Sequence, residues 1–87
     1  MVSPEDVRGY IAAGLECSVL EVTGDGQHFE ALIVSSLFEG KRPVQRHQLV
    51  YRALGDRMRE EIHALSMRTL TPAEFQAGNA ASGAPRQ

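Results

Sequence analysis

Apolar residues recur at three- and four-residue steps in two stretches of this chain and cluster with β-branched residues in others, and that rhythm predicts the elements. Val7, Tyr10, Ile11 and Leu15 make one face of a first helix. Ser3-Pro4-Glu5-Asp6 supplies its start: a hydroxyl cap, proline at the first helical position, and an acid three residues after the cap. Gly14 is placed to end it. Ser18 to Val22 reads as a strand, Thr23-Gly24-Asp25-Gly26 as a tight reversal, and Phe29 to Val34 as the return strand of a β-hairpin. After a connector from Ser35 to Pro43, Val44, His47, Tyr51, Leu54 and Met58 keep helical spacing. Gln45, Arg46, Gln48, Arg52 and Arg59 fall mostly off that stripe. Ile62 to Leu70 fits a third strand, because Thr71-Pro72-Ala73-Glu74 at once offers a new cap for a last short helix carrying Phe75.

The resulting order is αββαβα: an α+β two-layer sandwich with a three-stranded sheet and helices on one face. A chain of 87 residues holds one modest core, here expected over residues 1–78, with 79–87 as a disordered tail of small and polar residues. No apolar run approaches the roughly 18 residues of a membrane span, and Met1 to Asp6 has no signal-peptide pattern, so a cytoplasmic location and no membrane partner are expected.

Nine basic against eleven acidic side chains give a net charge of −2, which does not favour a dedicated phosphate-backbone binder. The single cysteine, Cys17, allows neither an internal disulfide nor an all-cysteine metal site. No defensible Ser-His-Asp order, P-loop or H-E-x-x-H helix is present, so an enzyme is not expected. Three histidines remain. His63 is in phase with Leu65 and Met67, the position of a half-buried structural histidine or of a ligand. His28 lies at the mouth of the hairpin, where a solvated strand residue is the plain reading. His47 sits on the apolar stripe of the second helix and reads as a packed side chain. Lys41, Arg42, Arg46, Arg52, Arg57 and Arg59 form a basic segment that is either a solvated face or a phosphate-binding one. Gly40-Lys41-Arg42-Pro43 has the first glycine of a KH-domain G-x-x-G loop. Its fourth position is proline, which has no N–H and cannot take positive φ.

The segments V-S-x-x-F-x-G (Val34 to Gly40), R-H-x-L-V (Arg46 to Val50), and I-H-A-L followed by T-P (Ile62 to Pro72) closely resemble the BolA-like family, over about residues 3 to 78. The short Gly24-Asp25-Gly26 hairpin followed by His28-Phe29 is most similar to the IbaG-like branch. The resemblance implies a class II KH-like fold, in agreement with the element order. It also implies a non-enzymatic adaptor that pairs with a monothiol glutaredoxin and shares a [2Fe-2S] cluster across the interface, in iron–sulfur trafficking or iron and stress regulation. The partner would supply a cysteine and a glutathione thiol, and this chain a histidine near the last strand plus a residue of the hairpin. His63 matches the former. His28 is assigned the latter, with Asp25 as the substitute and Cys17 set aside. The isolated chain would hold no cofactor tightly and be a monomer or weak homodimer. The alternative is a KH-like DNA-binding regulator of the stress response using Lys41, Arg42 and Arg46.

Overall fold

Eight short elements follow one another in the structure, a computed structural model that describes residues 2–80. Helix α1 spans Pro4–Gly14, strand β1 Val19–Gly24, β2 Phe29–Val34, a 3₁₀ turn Ser36–Phe38, helix α2 Pro43–Leu54, a second 3₁₀ turn Ile62–Ala64, β3 Leu65–Leu70 and helix α3 Pro72–Ala80. The expected α+β order is thus observed. Helix α3 runs two residues past the expected domain end at 78, and residues 81–87 lie outside the described ones.

Each helix starts as its sequence requires. At α1 the Ser3 hydroxyl accepts the Asp6 N–H and the Asp6 carboxylate accepts the Ser3 N–H, a reciprocal capping box. At α3 Thr71 and Glu74 repeat the arrangement. Helix α2 has Pro43 at its first turn, and Gln45 Oε1 accepts the Arg42 N–H.

The sheet has the order β1-β2-β3. β1 and β2 are antiparallel, with Val19 beside Val34 and Gly24 beside Phe29. β2 and β3 are parallel, with Phe29 beside Leu65 and Val34 beside Leu70, a pairing that needs a crossover and receives it from α2. Phe29, Ala31 and Ile33 alternate inward and join Leu20, Leu65, Val7, Ile11, Val50 and Leu54 in the core on the helical side. Glu21, Thr23, Glu30, Leu32, Ser66 and Arg68 line a shallow groove of about 380 Å³ on the other face.

The structure bears out one helix boundary and corrects three expectations. Helix α1 ends at Gly14 as expected, though not by a left-handed turn: Leu15 closes the helix in extended conformation, its N–H bonded to Ile11 O. Gly14 instead allows α1 to approach α2, since a β-carbon there would lie 2.8 Å from Ala53 Cα. Helix α2 stops at Leu54 before Gly55, whose φ is 60°, so Met58 is buried from the following turn rather than from the helix. The apolar stripe is also shifted. Val44 and Tyr51 are 61% and 43% exposed, while Val50 and Leu54 are buried with Leu49 and Ala53 packed beside them. Two overlapping stripes satisfy the same spacing, and the contact with α1 selects the second. Finally, Ile62–Ala64 is a 3₁₀ turn, so His63 precedes β3 instead of lying within it.

The Gly14 contact carries a prediction. Gly14→Ala should gain up to about 1 kcal/mol of helix propensity but lose about 1–3 kcal/mol to overpacking against Ala53 backbone, a net loss visible as a lower urea midpoint.

Candidate functional site

The parallel register makes the entrances to β2 and β3 neighbours. Phe29 and Leu65 are paired, and His28 and Ala64 are the residues immediately before them. The hairpin tip and the 3₁₀ turn holding His63 therefore share one end of the sheet. His28 and His63 are both exposed there. Sequence spacing alone allowed a half-buried His63 inside a strand; the turn places it in solvent instead.

The tip is tightly organised. Asp25 Oδ1 accepts the N–H of Gln27 and of His28, both at 2.9 Å, and the Asp25 N–H donates to His28 O at 3.2 Å. Those backbone donors, Gln27 first and His28 second, hold the Asp25 carboxyl below its ordinary range. Gly26 takes φ of 95°, and a β-carbon on Gly24 would collide with the His28 carbonyl oxygen.

Cys17 is at the other end. Its neighbour Ser18 donates to Val34 O, so the length of β1, about 17 Å from Val19 to Gly24, separates it from the tip. It is half-buried, its Sγ 3.3 Å from Leu15 O, and burial raises the thiol above its ordinary value against the opposing charge of Arg8. Such a thiol is poorly suited to ligate or react. His47 is partly buried on α2. Among the described residues no three His, Cys, Asp or Glu side chains converge as a metal site, and no helix is long and apolar enough to cross a membrane.

The three basic candidates separate in the structure. Lys41 and Arg42 are exposed. Arg46 is only 11% exposed and committed to the fold: it donates to Lys41 O, Thr69 O and both carboxylate oxygens of Glu74, with its guanidinium 5.9 Å from the centre of the Phe38 ring. It joins α2 to β3 and α3 and has little left for a phosphate. Sequence reasoning missed this role, although Glu74 was legible as a capping acid.

The V-S-x-x-F-x-G segment is structural as well. Ser35 is fully buried, donates its hydroxyl to Glu16 O at 2.7 Å, accepts the Leu37 N–H, and gives its own N–H to Leu70 O. Val34 and Phe38 are fully buried, and Gly40 has φ of 75°.

Comparison with known proteins bears on this arrangement. Residues 12–74 match the family model described as BolA-like protein. The chain belongs to the BolA-like family. It is 43% identical over 56 residues to the DNA-binding transcriptional regulator BolA of Haemophilus influenzae, covering 64% of this chain and 54% of that one. To the acid stress protein IbaG of Escherichia coli it is 34% identical over 71 residues, covering 80% and 84%. The match spans little more than half the length of several such curated relatives. The structure of a BolA homologue from Coxiella burnetii superposes with a TM-score of 0.73 at 44% identity, covering 87% of this chain and 99% of that one. The Haemophilus and Escherichia relatives carry the names of a regulator and a stress protein, whereas a mouse relative is named only BolA-like protein 1.

The Arg46–Glu74 pair predicts a pH dependence. Arg46 first, and the Thr71 N–H second, pull the Glu74 carboxyl from 4.5 down to about 2. A depressed acid stabilises the fold fully above pH 4.5, and that contribution disappears as pH falls through about 2. Glu74 is 46% exposed, so screening holds the effect to about 1 kcal/mol. Denaturant unfolding of wild type and Glu74→Gln should differ by that amount at neutral pH and converge between pH 4.5 and 2.

Proposed function

We propose that this chain is a non-enzymatic adaptor that shares a [2Fe-2S] cluster with a monothiol glutaredoxin, His63 and His28 being its two ligands. The observation that supports the reading is the placing of two exposed imidazoles at one end of the sheet, on the entrances to two paired strands. Two imidazoles are also what one iron of a [2Fe-2S] centre takes when His replaces Cys, a change that raises its potential. The chain offers too few donors for a whole cluster among its described residues. A partner cysteine and a glutathione thiol complete the other iron. The cluster is cargo, passed on in iron–sulfur trafficking or used as a signal of iron and stress, in the cytoplasm. Alone, the chain is a monomer or weak homodimer without tightly held cofactor.

A second reading, DNA binding, is favoured by exposed Lys41 and Arg42 at the start of α2, in a segment from Gly40 to Gly55 without an acid. The Haemophilus relative's name accords with it. Arg46 is left out of that surface because Glu74 neutralises it.

Mixing the chain with a monothiol glutaredoxin, ferrous iron, sulfide and glutathione should give a heterodimer whose visible absorption differs from that of the glutaredoxin homodimer. His63→Ala should abolish the difference and His47→Ala should leave it. A spectrum identical to the homodimer's with wild-type chain would overturn the adaptor reading. For DNA, charge reversal at Lys41 and Arg42 should weaken duplex binding for all sequences and flatten its salt dependence by about one unit of slope per lost phosphate contact.

A further inference from the structure

The carboxylate beside the proposed hairpin ligand has a task of its own. Both backbone polar groups of His28 close on Asp25: the N–H on its side-chain Oδ1 and the carbonyl on its main-chain N–H. The same Oδ1 also takes the N–H of Gln27. Removing that oxygen would free two amides at once and leave the main-chain bond from the Asp25 N–H to His28 O as the remaining tie across the tip.

We propose that Asp25 is a positioning residue: its carboxylate fixes the turn that presents His28 beside the His63 turn, and it is not itself a ligand. The proposal rests on the reading of His28 and His63 as cluster ligands and decides between the two hairpin candidates. Two facts support it. Oδ1 is taken up by two backbone N–H groups, which leaves only Oδ2 to meet any other group. Carboxylate oxygen also suits hard cations, whereas iron–sulfur centres are held by thiolate and imidazole. The position is therefore served by an oxygen that shapes the backbone, with the metal chemistry moved to the imidazole three residues on.

Asparagine supplies the same carbonyl oxygen and supports the same turn without the charge, while alanine does not. Two measurements on Asp25→Asn and Asp25→Ala test the idea. In the chain alone, NMR solvent-exchange rates of the Gln27 and His28 amides should rise about fivefold or more in Asp25→Ala, as expected for loss of a hydrogen bond to a charged group, and rise less in Asp25→Asn. In the reconstituted glutaredoxin heterodimer, Asp25→Asn should keep the wild-type visible spectrum and Asp25→Ala should lose part of its intensity. A heterodimer spectrum abolished by Asp25→Asn would make Asp25 a ligand and overturn the proposal. Unchanged amide exchange in Asp25→Ala would overturn it as well. Should wild-type chain form no cluster at all, the adaptor reading fails separately, because the exchange rates are read on the chain without partner or iron.

Discussion

Parallel pairing of β2 with β3 is the constraint on which the rest of this molecule depends. Two strands that run the same way have their entrances at one end and their exits at the other, and the chain must travel the length of the sheet between them. Helix α2 makes that journey. Its buried Val50 and Leu54 belong to the same core cluster as the inward side chains of β2, so the crossover also helps to build the core. Because β1 pairs antiparallel to β2, the hairpin tip joins the two entrances. Two loops far apart in sequence, the hairpin tip and the turn before β3, thus meet at one place.

The two ends of the sheet are finished differently. At the exits, backbone groups are closed by side chains: Ser35 bonds Glu16 O and Leu37 N–H, Arg46 holds Thr69 O and Glu74, and Thr71 caps α3. At the entrances, Asp25 shapes the tip and two imidazoles face solvent. Concentrating the tertiary hydrogen bonds at one end leaves the other free to expose imidazoles that make no side-chain hydrogen bond among the described residues. Exposed residues on loops held by a rigid scaffold are where binding chemistry is generally placed.

The motifs that mark the family read differently once they have a place in space. Val34, Ser35, Phe38 and Gly40 serve packing, a buried hydrogen-bond knot and a positive φ. Arg46 and Val50 serve the joint between α2, β3 and the core. Within I-H-A-L, by contrast, Leu65 is buried and His63 is not. Most of what is recognisable in the sequence specifies the fold, and the residue that stands apart is the one whose side chain the fold does not use.

Local chemistry wrote the element order into the sequence. Capping boxes at Ser3–Asp6 and Thr71–Glu74, prolines at helix starts, and the glycine-rich reversal before Phe29 act over a few residues, and each predicted element formed where they stand. The outcome at Gly14, the stripe of α2, the exposure of His63 and the employment of Arg46 required the tertiary structure. Three of these depend on a neighbour distant in sequence, Ala53 for Gly14, α1 for the face of Val50 and Glu74 for Arg46, while His63 is exposed by the 3₁₀ turn that its own residues form before β3. Helical spacing repeats closely enough that adjacent stripes fit one sequence, and a charged side chain carries no mark of whether a partner awaits it across the fold. Periodicity set what each segment becomes; packing between segments decided which side chains remained free to meet another molecule.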